Sequence, residues 1–330
     1  MSIQINMTSI LNSFILLLVL FIFEFLYFKF ADHFNIIDKP NTRSSHSTIT
    51  LRGGGIIFCI ACLMFYLFFG FKYHFFIIGL LAISIISFLD DILTLNNKIR
   101  ISIHLFSVVF LFYQWDLYNL QWYWLILVGI FVIGTINAYN FMDGINGMTG
   151  GYSLLTIISL FYINSEVLQF TTNDLLIVVG LSLLVFNYFN FRTSAKCFAG
   201  DVGSVSIAFI ILFLIGQLIL KSENFIYILL LFIYGLDTAT TVLFRKIRRE
   251  NIFKAHRGHF YQYLANQLKY NHLLVSMFYI IIQLFINCVI IFVVKNSIVF
   301  AMVFSSIFTA LFFIIRFLVE GKKYLLESHF

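Results

Sequence analysis

The stretch SVSIAFIILFLIGQLIL, residues 204–220, decides the fold: seventeen residues pass without one charged side chain. The stretch at 223–243, ENFIYILLLFIYGLDTATTVL, is nearly as apolar and carries Asp237 as its single interior charge. A helix that crosses a bilayer needs about 20 mostly apolar residues. Working outward, nine further stretches of this kind cover 11–30, 53–71, 74–90, 100–115, 121–140, 148–163, 174–191, 273–294 and 298–319. The chain of 330 residues is 61% hydrophobic and only 11% charged, with 43 phenylalanines and one proline. Its mean hydropathy is +0.96. A soluble fold cannot cover its surface with so few charges. Disorder and a basic nucleic-acid-binding domain are excluded on the same ground.

The expected architecture is an all-α integral membrane bundle of about eleven transmembrane helices, one polytopic domain over 1–330. The first apolar run is expected to be a retained helix, because nothing basic precedes it and no small-residue cleavage site follows. Lysine and arginine in the loops set the orientation. Numbering the connections alternately puts sixteen on one side, namely Lys39, Arg43, Arg52, Lys98, Arg100, Arg192, Lys196, Arg245, Lys246, Arg248, Arg249, Lys254, Arg257, Lys269, Lys322 and Lys323. The other side receives Lys72, Lys221 and Lys295. The rich side is expected to be cytoplasmic, with the N-terminus outside and the C-terminus inside. Cys59, Cys62, Cys197 and Cys288 are too few and too scattered for a disulfide scaffold, and the Cys59–Cys62 pair reads as small core residues.

The same parity sorts the chemistry, for every dense polar cluster falls on the basic side. In SFLDDILTLNNKIR (87–100), Asp90 and Asp91 end an apolar span, where a cation would compensate them. Interface punctuation is the plainer reading of that pair. In NAYNFMDGINGMTGG (137–151), Asn137 and Asn140 share a helix face, Asp143 follows, and four glycines let backbone approach a ligand. In AKCFAGDVGS (195–204), Asp201 opens a new helix whose first N–H groups can hold an anion. In RKIRRENIFKAHRGHFYQYL (245–264), Arg245 to Arg249 reads as an anchor to anionic lipid, whereas His256, Arg257 and His259 suit a pyrophosphate. A two-histidine zinc site there lacks a third ligand. In KPNTRSSHSTITLRGGGI (39–56), Arg43, His46 and Arg52 precede a triple glycine and read as a second phosphate-facing loop.

These five motifs, in this order over about 38–264, resemble the polyprenyl-phosphate N-acetylhexosamine-1-phosphate transferases, which include MraY and the WecA-like enzymes. The Arg43-x-x-His46 loop, NFMDGINGMTGG and AHRGHFYQ are most similar to the bacterial WecA/WbpL-like branch. Two departures stand out: Asn146 occupies a position that is aspartate in MraY, and Ser194 stands where many relatives have proline. The resemblance implies transfer of a sugar 1-phosphate from a UDP-N-acetylhexosamine to undecaprenyl phosphate, with release of UMP, at the cytoplasmic face of a bacterial inner membrane. The donor is UDP-GlcNAc or a UDP-linked 6-deoxy sugar, and the product starts O-antigen, capsule or another envelope polysaccharide. It implies magnesium, or manganese in its place, held by Asp201 and Asn140. Asp90, with Asp91 in support, would orient the lipid phosphate. Asp143 would join the metal shell or act as a nucleophile in a two-step variant. Asn146 would contact uracil, and His256, Arg257 and His259 the diphosphate and sugar. Lys98, Arg43, His46, Lys196 and Asn137 are secondary substrate-binding candidates. Asp237 is expected to be buried near the site in a structural hydrogen bond. The partners are the two substrates and membrane lipid, with a homodimer left open. A flippase would instead place polar groups on both leaflets, and an inactive scaffold would lack one of the acidic or histidine residues.

Overall fold

A computed structural model describes residues 7–39, 49–93, 95–251 and 257–327. Arg43, His46 and His256 lie outside the described residues. In chain order the elements are α1 (Met7–His33), the strands β1 (Ile37–Asp38) and β2 (Thr50–Leu51), and α2 (Ile56–Phe68). Then come α3 (His74–Leu93), α4 (Asn97–Gln114), α5 (Trp122–Met142), α6 (Met148–Tyr162), α7 (Asn173–Asn190) and α8 (Gly200–Ser222). A 3-10 segment, Phe225–Leu231, leads into α9 (Phe232–Ile247), followed by the short α10 (Phe260–Gln262). The chain closes with α11 (His272–Cys288), α12 (Ile298–Glu320) and α13 (Lys322–Leu326). The two strands form one antiparallel ribbon, with Ile37 opposite Leu51.

A helix occupies each of the eleven expected apolar stretches. Among the described residues, eight are long and apolar enough to cross a bilayer. The other three fall short. Helix α2 has 13 residues, and at 1.5 Å per residue it reaches about 20 Å, against a hydrocarbon core of about 30 Å. Helix α6 has 15, is extended by a π turn, and carries polar residues. Helix α4 carries Lys98, Arg100, His104 and Gln114 along its length. Eleven full crossings is therefore more than length and hydropathy give.

Helix α8 is the hub. Sixteen of its 23 residues are buried, from Gly200 to Leu218, with α3 and α5 among the helices packed on it. This explains why 204–220 is apolar on every side: its neighbours are protein. Phe76 of α3 stacks on Phe213 of α8 with centroids 4.0 Å apart. By contrast, α12 and α1 leave most of their apolar surface outward, as helices at a lipid boundary do. The buried helix break before α9 is satisfied by one side chain of α11: Gln283 Oε1 accepts from Ile233 N–H at 3.0 Å, and its Nε2 donates to Leu229 O at 3.0 Å.

At one end of the bundle two loops are zipped together by backbone. Phe198 N–H donates to Leu51 O (2.8 Å), Gly54 N–H to Phe198 O (2.9 Å) and Gly55 N–H to Ala199 O (3.1 Å). A Cβ at Gly55 would run into Gly203 Cα, so the α2 and α8 N-termini touch at backbone. Overpacking such a contact costs about 1–3 kcal/mol. Gly55→Val should therefore lower the thermal midpoint of the detergent-solubilised chain by several degrees. Gly134→Ala, inside α5 with open space around its Cβ, should not lower it. Differential scanning fluorimetry of both variants checks this.

Candidate active site

Asp91 is the first fixed point. It ends α3, and its carboxylate accepts the N–H of Asp201 at 2.9 Å and of Val202 at 3.0 Å. It thereby caps α8 from another helix, where an anion is favoured by the helix dipole. Gly200 has φ +71°, and a Cβ there would press on Asp91 Oδ2 and on the Gly53 backbone, so only glycine fits. Arg52 Nε completes Asp91 at 2.7 Å. Tyr27 of α1 donates its hydroxyl to Arg52 O at 2.5 Å and holds that residue's backbone.

Asp90 pairs with Arg100 at 2.9 Å and accepts the Leu95 N–H at 2.7 Å. Asp201 lies between the two arginines, 3.5 Å from Arg52 and 3.7 Å from Arg100. Those distances are long, and they leave its oxygens open to a closer partner. Asn140 Oδ1 accepts from Ser204 Oγ at 2.9 Å, one turn along α8 from Asp201. Asp143 follows the end of α5 in the same electrostatic neighbourhood. Burial pushes its carboxyl up to about 7; the nearby Thr149 hydroxyl opposes this, the Asp201 charge adds to it and Arg52 opposes it.

The loops are then tied to one another. Asn190 Oδ1 accepts Gly147 N–H at 2.8 Å while its Nδ2 donates to Cys197 O at 2.9 Å, which joins the 143–147 loop to the one before Asp201. Tyr261 donates to Phe141 O at 2.8 Å and leaves no room for a Cβ at Gly144, which seats the His259 segment against Asp143. His259 is buried, with Nδ1 3.4 Å from Asp237. Asp237 also accepts the N–H groups of Phe260 (3.0 Å) and Tyr261 (3.3 Å) and the Tyr279 hydroxyl (2.6 Å), the buried structural role that the sequence suggests.

The structure thus brings together Asp90, Asp91, Asn140, Asp143 and Asp201, and sets Arg257 and His259 on the segment that Tyr261 seats beside them. It places several other candidates elsewhere. Lys98 is exposed, while Arg100, two residues on and so on another face of α4, turns to Asp90. Lys196 is also exposed. Asn137 bonds its own helix at Ile133 O. Asn146 is buried and donates to Arg192 O (2.8 Å) and Thr193 O (3.2 Å), a tie between loops rather than an open edge for a base. The expected lipid anchor is corrected too. Arg245 is buried and pairs with Glu250, and Arg248 pairs with Glu250 and donates to Tyr324 O and Leu325 O, leaving Lys246 and Arg249 exposed. Arg52 and Arg100 carry more of the site than loop position suggested, and Asn190 and Ser204 gave no chemical signal in sequence.

Beside the site a cavity of about 440 Å³ opens between α5 and α9. Phe131, Gly134, Ala138 and Tyr139 line one wall, Gly235 and Ala239 the other, and nothing approaches within 4 Å of where a Cβ would stand on Gly134 or Gly235. Its lining is apolar and ends next to Asn140 and Asp237.

The family model described as glycosyl transferase family 4 matches residues 73–219, which hold Asp90, Asp91, Asn140, Asp143 and Asp201. That match covers just under half of the chain. It is 26% identical over 259 residues to a probable undecaprenyl-phosphate N-acetylglucosaminyl 1-phosphate transferase of Bacillus subtilis, covering 72% of this chain and 71% of that one. It is 28% identical over 227 residues to a phospho-N-acetylmuramoyl-pentapeptide-transferase of Dictyoglomus thermophilum, covering 61% and 70%. It is 27% identical over 215 residues to an undecaprenyl-phosphate alpha-N-acetylglucosaminyl 1-phosphate transferase of Salmonella typhi, covering 59% and 58%.

The cap geometry carries a prediction. Asp91→Ala leaves two N–H groups of α8 and the Arg52 guanidinium unmatched, which costs about 1–3 kcal/mol or more. Asp201→Ala, whose contacts are longer, should cost less. The ranking of the two thermal midpoints in detergent checks this.

Proposed function

We propose that this protein is a member of that family and transfers an N-acetylhexosamine 1-phosphate from a UDP-sugar to undecaprenyl phosphate, in a bacterial inner membrane, with the site facing the cytoplasm. The observation that carries the reading is the convergence of four acidic side chains and two arginines beside an apolar groove open along α5 and α9. Such a site suits a reaction between a water-soluble anion and a lipid anion. The relatives' names supply the reaction type, and the sixteen-to-three asymmetry of basic residues supports the orientation.

In this reading the polyprenyl chain lies in the α5–α9 groove and delivers its phosphate beside Asp90 and Arg100. An oxygen of that phosphate attacks the sugar-bearing phosphorus of the nucleotide sugar. The bond to the UMP oxygen breaks, and UMP leaves with its electron pair. A phosphate monoester is largely dianionic at neutral pH. Asp90 therefore orients the nucleophile more than it deprotonates it. Arg52, Arg100, Arg257 and His259 offset the charge of two anionic reactants.

Among the described residues, no group of three or more His, Cys, Asp or Glu is arranged to hold a metal. That fits magnesium, which is usually bound through one or two carboxylates and completed by substrate phosphates. Asp201, Asn140 and Asp143 offer the hard oxygen donors. Magnesium held there would neutralise charge on the diphosphate. Asp91 is not among the ligands, because both its oxygens are committed to the α8 N-terminus and Arg52.

The donor is UDP-GlcNAc or a UDP-6-deoxy-N-acetylhexosamine, and the product begins an O-antigen, capsule or other envelope polysaccharide. The test uses full-length protein in detergent with undecaprenyl phosphate, magnesium and a panel of UDP-sugars. Magnesium-dependent UMP release with one donor is expected, and Asp201→Asn should reduce it by about a hundredfold. Folded protein that releases no UMP from any donor would overturn the reading.

A further inference from the structure

Arg316 lies four residues before the end of α12, outside the motif-bearing region, and is 1% exposed. Its guanidinium pairs with Glu320, also buried, and donates to Thr240 Oγ1 (2.9 Å), Thr241 Oγ1 (3.0 Å) and Gly258 O (3.1 Å). The ring of Phe244 lies 5.2 Å from its carbon centre and that of Phe260 5.8 Å. Gly258 is the residue between Arg257 and His259.

The other end of the same segment is gripped by α9. Asp237 holds the Phe260 and Tyr261 N–H groups and faces His259, and Thr241 joins the two systems by bonding both Asp237 Oδ1 (3.2 Å) and Gly258 O (3.3 Å). Five residues, Arg257 to Tyr261, are thus clamped between two helices by two buried charges. A buried ion pair of this kind is a poor source of stability, because desolvation offsets the attraction. What a guanidinium adds is a planar fork that delivers several bonds at fixed angles, which a lysine or a neutral group cannot copy.

We propose that Arg316 is a positioning residue for nucleotide-sugar binding: through Gly258 and Thr241 it sets where Arg257 and His259 meet the diphosphate. The inference rests on the transferase reading above. It predicts a one-sided effect, because the groups assigned to the lipid phosphate, Asp90 and Arg100, stand on α3 and α4 and share no bond with Arg316.

Arg316→Met alone strands the buried Glu320 carboxylate, so the informative variants are Arg316→Met/Glu320→Met, which removes the pair together, and Arg316→Lys. Each is assayed as full-length protein for KM of the nucleotide sugar, KM of undecaprenyl phosphate and kcat, and titrated with UDP. The double variant should raise the nucleotide-sugar KM and weaken UDP binding by about ten- to hundredfold, with the lipid KM within about twofold. Arg316→Lys should fall between it and the unmodified chain. A lower kcat with both KM values unchanged signals only a smaller folded fraction and overturns the proposal. So does a folded double variant that binds UDP normally. An unmodified chain that binds no UDP and releases no UMP fails the transferase reading itself, and the inference falls with it.

Discussion

The structure depends on a backbone contact: Gly53 to Gly55 lying against Ala199 to Gly203. Gly55 and Gly203 meet backbone to backbone, so the N-termini of α2 and α8 approach closely, and Asp91 of α3 caps α8 beside them. Once that cap is made, Asp201 faces the same space as Asp90, and Arg52 is drawn in to neutralise Asp91. A Cβ on Gly55 or Gly203 would meet the facing backbone, and one on Gly200 would meet Asp91 and Gly53. The glycines are therefore as much a part of the site as the acids.

Charge is handled in two ways around this contact. Asp91 is fully committed, to two N–H groups and an arginine, and behaves as a structural anion. Asp201 is only loosely approached by two arginines, so its oxygens can still take up a tighter partner. Adjacent acids in the sequence thus diverge: Asp90 pairs with Arg100 of α4, while Asp91 turns into the α8 N-terminus. A second buried layer, built from Asp237, Arg316 and Glu320 on α9 and α12, supports the segment that carries Arg257 and His259.

The membrane class and the helix positions were legible because apolar runs of this length have one physical use, and each expected stretch coincides with a helix. The number of full crossings was less legible, since α2 is apolar but short while α4 and α6 are long enough but carry polar residues. The acidic motif positions were legible for the same reason that they are costly: charge beside a long apolar run demands a partner. The choice between Lys98 and Arg100 was not, because it turns on which face of α4 packs against α3. Nor was the role of Asn146, whose side chain could face a ligand or a neighbouring loop with equal chemical sense.

Hydrophobicity and spacing by themselves determined that the chain is a helical membrane protein with acidic and basic motifs at the helix ends, because those features are local and need no partner to be recognised. Only the tertiary structure decided which acid is a cap and which is open, that Arg245 and Arg248 serve internal pairing rather than lipid, and that Arg316 supports a loop 58 residues before it. Those outcomes depend on which groups meet across distant segments, and charge pairing in a low-dielectric interior is decided by ångström-scale geometry that no single stretch of chain contains.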